Sequence, residues 1–273
     1  MASPTYRTQG IVVRKRPLGE SDLVVTLLDA SGAKVLAVAK GGRKPSSSFS
    51  SRLELFSRVD ALLARGRNLD IVKEARLEAS HAALRSDYDL ALAASVAADA
   101  IDHLAQEDLE QPRIFPMTDA LLSAMEAAPA GGAAVLSAAF LLKALATFGY
   151  RPTLDSCVMC GGAVEGLAAL PVGGGEAFRR VSEEFAAFSV EEGGLLCDVC
   201  AAGVPSRPVP RATVANARIL MASTFPSLAD RPCSPAEVIS LLHMTSLWMG
   251  YHTGVRLRSL EQLVRNLQQT RRL

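Results

Sequence analysis

Four of the five cysteines constrain the fold of this chain most, because they form two pairs with the spacing of metal-binding knuckles. Cys157 and Cys160 make the first Cys-x-x-Cys pair, and Cys197 and Cys200 make the second. Each pair sets two thiolates on one tight turn, and two such turns complete the tetrahedron that holds Zn²⁺. Four thiolates leave no coordination position for a substrate, so the pattern predicts a structural zinc site in a module at about residues 156–205.

Two disulfides or unrelated free thiols are the alternatives to a metal. The paired spacing favours a metal and a reducing compartment, and Cys233 is expected to be a buried bystander. No apolar run has the length of a membrane span, and the first residues lack the apolar segment of a secretory signal. We therefore expect a cytoplasmic protein with no membrane partner. Within the module, the run Gly173, Gly174 and Gly175 is typical of a loop tip.

The N-terminal part of the chain has the pattern of a small β-barrel. Five short β-branched or apolar runs are separated by turn residues, at positions 10–16, 23–28, 34–39, 59–64 and 71–77. This strand count is that of the OB-fold, with an SH3-like barrel as the alternative. The sequence predicts an α+β protein of two domains, an OB-fold at 1–80 and a mostly helical domain at 81–273 that the zinc-finger-like module interrupts.

The helical period begins near residue 81. Ser86 or Asp87 can cap a first helix, and a second is expected to follow Thr118. Gly149 has the position of a helix C′ residue. Three helices are expected at the end of the chain, the last two starting with capping boxes at Ser234 and Ser259.

Charge is distributed unevenly between the two predicted domains. Residues 1–80 carry 14 Lys/Arg and 8 Asp/Glu, a net charge of +6, whereas the remaining residues carry 15 and 20, a net charge of −5. A basic domain joined to an acidic one indicates that the first contacts a polyanion. The segment 40–48 adds three cations, two glycines and three serines, which suits a loop that follows a phosphate backbone.

The predicted DNA-binding residues share long cationic side chains at strand ends and in this loop. They are Arg14, Lys15, Arg16, Lys34, Lys40, Arg43, Lys44 and Arg67. Bases usually stack on aromatic rings in single-strand-binding OB-folds, but this part of the chain offers only Tyr6, Phe49 and Phe56. We therefore expect mostly electrostatic binding with little sequence preference.

No catalytic arrangement stands out in the sequence. None of the four histidines lies in an HExxH or HxE motif, and no GxGxxG or GxSxG motif is present. The acidic pairs at 183–184 and 191–192 are expected to be solvated. The sequence predicts a protein that is not an enzyme. The alternatives are a zinc-bearing protein adaptor with incidental DNA affinity, and a metal-dependent nuclease, whose open His and carboxylate site is missing.

Several short motifs then suggest a family. They are residues 10–13, 19–22, Gly32, 39–43, 149–152 and 193–197. In this order, with a cysteine module inserted in a helical region, they resemble the RecO family of bacterial recombination mediators over nearly the whole chain. The resemblance implies binding to single- and double-stranded DNA, annealing of complementary strands, partnership with RecR, and loading of RecA on DNA coated by single-strand binding protein. It also implies association with the nucleoid and a zinc ion that is not essential in every member.

The resemblance further implies contact with the acidic C-terminal tail of single-strand binding protein. The last helices place Arg256 and Arg258 beside Leu257 and Leu260, which suits an acidic peptide with an apolar end. Further arginines follow at Arg265, Arg271 and Arg272. The alternative is that these arginines only offset the dipole of the last helix.

Overall fold

The first strands of the chain form a closed five-stranded barrel. The computed structural model describes residues 4–165 and 185–270. Some residues of the sequence analysis lie outside this range: Gly173 to Gly175, the acidic pair 183–184, Arg271 and Arg272. The strands are β1 (Thr5–Leu18), β2 (Asp22–Asp29), β3 (Lys34–Ala39), β4 (Arg58–Ala64) and β5 (Asp70–Ala79). They close in the order β1-β2-β3-β5-β4, with β3 and β5 parallel and the other pairs antiparallel. The predicted OB-fold is confirmed.

Apolar side chains at alternate positions of the strands point inward and fill the barrel. Inward residues such as Val12, Val25, Leu27 and Leu63 are fully buried in one apolar cluster. Each large aliphatic side chain buried in this way contributes roughly 2 kcal/mol of transfer free energy. A β-bulge between Val12 and Arg14 shifts the register of β1 against β2 and turns its second half.

A short helix, α1 (Ser48–Arg52), lies between β3 and β4 and begins at the last residue of the predicted loop 40–48. The Ser47 side chain accepts the hydrogen bond of the Phe49 N–H at its start, and Phe49 packs against the barrel core. Five residues are too few to show a helical period, so α1 could not be predicted from hydrophobic periodicity.

Three helices follow the barrel: α2 (Ala82–Ser86), α3 (Tyr88–Leu104) and α4 (Ile114–Ala127). Asp87 caps α3 by accepting the Leu90 N–H, which confirms one of the two predicted caps. Helix α4 begins four residues before Thr118, earlier than predicted. Pro116 is tolerated in its first turn because the N–H groups there have no partner within the helix.

The remaining elements are α5 (Gly132–Thr147), β6 (Phe185–Ser189), β7 (Gly194–Leu196), α6 (Asp198–Ala201), β8 (Arg207–Pro210), α7 (Arg211–Ala222), α8 (Phe225–Ala229), α9 (Pro235–Thr253) and α10 (Arg258–Thr270). Strands β7, β6 and β8 form a small antiparallel sheet. The chain divides into two compact units, Met1–Ala133 and Ala134–Leu273. The domain boundary after residue 80 stays a prediction. Among the described residues, no helix has the length and apolar composition needed to cross a bilayer.

Local signals set several helix ends of the second unit. Gly149 has φ +91°, and the N–H groups of Gly149 and Tyr150 donate to the carbonyls of Ala146 and Leu145, so the predicted C′ residue is confirmed. The capping box at Ser234 is also confirmed.

The second predicted capping box is wrong. Helix α10 begins at Arg258, so Ser259 lies within the helix, and its buried Oγ has no hydrogen-bond partner among the described residues. The extra helix α8 has only five residues, and the sequence analysis missed it.

Candidate metal centre and nucleic-acid interface

The two cysteine knuckles are held together by main-chain hydrogen bonds. The first follows the end of α5, and the second starts where β7 ends, with Cys197 at the N-cap of α6. The Val158 N–H donates to the Leu195 carbonyl at 2.8 Å, which ties the first knuckle to β7. A Cβ on Gly194 would lie 2.2 Å from the Thr153 oxygen, so only glycine permits this close approach.

The four thiols form one compact group. The Sγ atoms of Cys157, Cys160, Cys197 and Cys200 all lie within 4.8 Å of one another. The Cys160 and Cys197 sulfurs are 3.8 Å apart. A tetrahedral Zn²⁺ site with Zn–S bonds of about 2.3 Å has S···S edges of about 3.8 Å. The donor set and its spacing therefore fit zinc, and all five cysteines of the chain are free thiols.

The surroundings of the cluster divide the thiols by acidity. The pKa of Cys157 is lowered to about 6, chiefly by a hydrogen bond from the main chain of Cys197. The pKa of Cys200 is raised to about 12, first by its hydrogen bond with the Cys197 side chain. In the protein without metal, Cys157 therefore forms a thiolate easily and Cys200 resists deprotonation, so a bound cation would displace the Cys200 proton.

An aromatic cluster attaches the small sheet to the helices of the second unit. The ring centroids of Phe188 on β6 and Trp248 on α9 are 5.5 Å apart. The Trp248 Nε1–H donates to the Tyr150 carbonyl at 2.8 Å, which satisfies its polar group. The cysteine cluster therefore adjoins a sheet that has its own apolar contacts to α9.

On the barrel, five of the eight predicted DNA-binding cations already have partners. Three form ion pairs with carboxylates: Arg14 with Asp102 at 2.6 Å, Lys15 with Glu54 at 2.7 Å, and Lys40 with Asp22 at 2.9 Å. The other two donate to main-chain carbonyls: Lys34 to Asp102, and Arg43 to Gly19 and Glu20. Sequence reasoning could not anticipate these pairs because most join residues far apart in the chain.

The other three predicted cations are exposed, and none of their side chains has a hydrogen bond or ion pair to the described residues. Arg16 lies near the end of β1, Lys44 in the segment after β3, and Arg67 in the β4–β5 turn. The guanidinium of Arg43 links its segment to the β1–β2 turn. These turns are the ones that bind oligonucleotides in OB-folds.

The outer face of β2 differs from that of an OB-fold with a free binding surface. Its outward residues Val24, Thr26 and Leu28 are buried, so this strand offers little surface to a ligand. A nucleic acid bound to this barrel would therefore have the turns and the cations that flank β2 as its available contacts.

A second cationic cleft lies on β5 and was missed by sequence reasoning. It has a volume of about 510 Å³, and its cations are Arg7, Arg52, Lys73 and Arg76. Arg7 is paired with Asp60 and Glu74, which reduces the net charge of the cleft. The only sequence signal was the alternation of charges along β5.

The second unit contains an open groove between its small sheet and helices α9 and α10. Its volume is about 760 Å³, and the exposed side chains of Leu247 and Tyr251 line it. Arg256 also lines this groove, as does Arg207, which the sequence did not single out. Arg258 is exposed but does not line it, and Leu260 is buried.

Comparison with known proteins decides the family. A family model described as "Recombination protein O N terminal" matches residues 1–81, and one described as "Recombination protein O C terminal" matches residues 85–261. The chain belongs to the RecO family. It is 33% identical over 272 residues to the DNA repair protein RecO of Cutibacterium acnes, a match that covers 96% of this chain and 100% of the relative.

Two further RecO relatives agree with this assignment. The chain is 33% identical over 263 residues to RecO of a Nocardioides species, covering 95% of this chain and 99% of the relative. It is 37% identical over 171 residues to RecO of Bifidobacterium longum, covering 62% of this chain and 71% of the relative. All three relatives are named DNA repair proteins.

Proposed function

We propose that this RecO family protein is a recombination mediator that acts by binding and not as an enzyme. It binds single- and double-stranded DNA, anneals complementary strands and, with RecR, helps RecA to load on DNA coated by single-strand binding protein. It acts in the cytoplasm, in association with the nucleoid. The observation that carries the proposal is an OB-fold whose turns present exposed cations, in a family of DNA repair proteins.

The DNA contact we propose is electrostatic. Arg16, Lys44 and Arg67 meet phosphates first because they have no ion pair to give up, and the paired cations exchange partners as the strand binds. If about four to six contacts form on a single strand, the log–log salt slope is about −3 to −4. Because phosphates carry no base identity, the affinity varies little with sequence.

A salt-titrated binding experiment tests this site. Replacing Arg16, Lys44 and Arg67 with Ala should flatten the slope by about two units, at about 0.7 per lost contact. Arg76→Ala is the control for the loss of one exposed barrel cation outside this site, because Arg76 lies in the cleft on the β5 side. A shallow slope in the wild-type protein would favour the protein adaptor, and an unchanged slope in the triple variant would place the DNA elsewhere.

The four cysteines, we propose, hold one structural Zn²⁺. Their sulfur spacing and donor set support this ion over metals that prefer oxygen ligands. When bound, the ion supplies a cross-link between the two knuckles and no reactive position. Elemental analysis of protein purified without chelator should give about one zinc per chain; less than half an equivalent would contradict the proposal.

The groove of the second unit is proposed as the site of the acidic tail of single-strand binding protein. Leu247 and Tyr251 offer an apolar floor for the end of such a peptide, and Arg256 and Arg207 offer partners for its carboxylates. The groove also contains Glu191 and Glu261, which limits its attraction to acidic peptides. Arg258 stands next to the groove and would add longer-range attraction.

Annealing of complementary strands coated with single-strand binding protein tests the whole proposal. The protein should accelerate annealing of strands coated with the full-length coat protein, and much less when the coat protein lacks its acidic tail. Equal rates with both coats would remove the tail from the mechanism. No acceleration of coated or naked strands would contradict the annealing function.

A further inference from the structure

A small cavity lies where the barrel meets the end of α3 in the first unit. It has a volume of about 320 Å³, and three cations face it: Arg14, Arg16 and Lys34. In the sheet, Arg14 lies opposite Thr26, which lies opposite Leu36, so these residues form a row across β1, β2 and β3. Asp102 and His103 complete the lining.

The cavity lining has one carboxylate, that of Asp102, against these three cations. The Arg14 guanidinium contacts Asp102 Oδ2 at 2.6 Å, through one of its five N–H donors. The Lys34 ammonium donates to the Asp102 main-chain carbonyl at 2.7 Å. The Arg16 side chain has no hydrogen bond or ion pair to the described residues, so the cavity keeps an excess of positive charge.

Asp102 is an unfavourable residue for this place in a helix. It lies in the last turn of α3, where the partial negative charge of the helix end repels a carboxylate. Its side chain is 12% exposed, whereas that of Arg14 is 57% exposed, so solvent and a ligand reach the cation more easily than the anion. A residue that breaks a local rule at a cluster of cations points to a function.

We infer that this cavity is a subsite for one phosphodiester group of a DNA strand, in which the Asp102 carboxylate is a tethered competitor. This inference rests on the proposed function. Guanidinium groups bind carboxylates and phosphates with the same donor geometry, so a phosphate can replace Asp102 on Arg14. The competitor weakens each engagement of the strand, which suits a mediator that must release DNA to the next protein.

The first test compares two substitutions that remove one negative charge each. Asp102→Asn should raise affinity for an oligo(dT) of about 16 nucleotides by about threefold at low salt and steepen the salt slope by about 0.7. Asp108→Asn is the matched control, because Asp108 is exposed and has no partner among the described residues. Unchanged or weaker binding by Asp102→Asn, or an equal gain in both variants, would overturn the subsite.

The second test uses coupling between Arg14 and Asp102. If the carboxylate restrains Arg14, Arg14→Ala should cost more DNA affinity in the Asp102→Asn protein than in the wild type. If Asp102→Asn does not fold, a comparison of two single variants that both keep Asp102 replaces this test. In the otherwise wild-type protein, Arg14→Ala should then flatten the slope less than Arg16→Ala. Equal costs in both comparisons would contradict the competition.

Competition with inorganic phosphate separates a DNA phosphate from a free one. Millimolar phosphate at constant ionic strength should displace little oligo(dT), because a strand engages several cations at once. A gain in inorganic phosphate binding by Asp102→Asn without a gain for oligo(dT) would overturn the assignment. If the wild-type protein binds no DNA at all, the proposed function fails; if it binds and Asp102→Asn equals the wild type, only this inference fails.

Discussion

At Gly32, in the turn between β2 and β3, the chain passes so close to Gln111 that no side chain fits. A Cβ there would lie 1.9 Å from the Gln111 oxygen, and the residue has φ +83°. Gly131 has nearly the same backbone angle, φ +84°, but a Cβ there would meet nothing within 4 Å. The two glycines therefore separate the cost of backbone strain from the cost of a clash.

Gly32→Ala should destabilise the protein much more than Gly131→Ala. The strain of a left-handed alanine costs about 1 kcal/mol at both positions. At Gly32 the main chain of Gln111 must also move, so the free energy of unfolding should fall by about 3 kcal/mol or more. Urea unfolding measures both values, and similar losses would show that the turn can shift without cost.

Proton binding to the cysteines should make metal affinity depend on pH. Thiolates bind zinc, so each protonated thiol lowers affinity. The pKa of Cys157 is about 6, so zinc affinity should fall more steeply as the pH drops below that value and this thiolate is lost. It should rise above pH 7, where release of the remaining thiol protons costs less. Competition with a chromogenic chelator measures the profile, and Cys233→Ser should leave it unchanged.

At the scale of elements, the segment between β3 and α1 is more ordered than its glycines and serines suggest. The Gly41 N–H donates to Asp22, which also pairs with Lys40, and the Lys44 N–H donates to the Gly41 carbonyl. The hydrogen bond from the Gly41 N–H, followed by that from Lys40, lowers the pKa of the Asp22 carboxyl. Of the three cations in this segment, only the side chain of Lys44 has no partner among the described residues.

This difference predicts unequal contributions to DNA binding. Lys44→Ala should flatten the salt slope by about 0.7. Lys40→Ala and Arg43→Ala together should flatten it by less than twice that amount, because those cations already neutralise Asp22 or bind carbonyls. A double variant that loses the full two contacts would indicate that both cations exchange partners freely on binding.

Arg256, which lines the groove of the second unit, and Arg258, which does not, allow a matched comparison of charge reversals. Arg256→Glu should weaken binding of an acidic peptide with an apolar end by about tenfold, because it reverses a charge inside the groove. Arg258→Glu reverses an exposed charge outside the groove lining and should weaken binding less. Fluorescence anisotropy with a labelled peptide measures both, with oligo(dT) binding as the check that the DNA site is intact. Equal effects would indicate only long-range attraction.

At the scale of the whole molecule, if the four cysteines hold the proposed zinc, its removal should affect one unit and spare the other. The knuckles connect the end of α5 to β7 and α6, so their loss should open the segments 151–165 and 185–210. The barrel has its own buried core and should keep its amide protection. Hydrogen exchange of the full chain with and without chelator tests this. Equal loss in residues 5–79 would show that zinc stabilises both units together.

The sequence alone determined the features that depend on neighbours in the chain. A few adjacent residues fix each of these features, so they were predictable. They are the two Cys-x-x-Cys turns, the five alternating strands, the cap at Asp87, the helix end at Gly149 and the capping box at Ser234. Helices of five residues were not predictable, since they are too short to show a period. The early start of α4 was missed because Pro116 lies in its first turn, and a proline usually marks the end of a helix.

Only the tertiary structure decided which charges are free. Arg14 and Asp102 are 88 residues apart, and Lys40 and Asp22 are 18 apart, so no local pattern announces either pair. The same holds for Arg207, which comes near Arg256 only because β8 and α9 line one groove. Residue types and spacing give a chain its donors and cations, but the energy of a charge depends on what the fold places beside it.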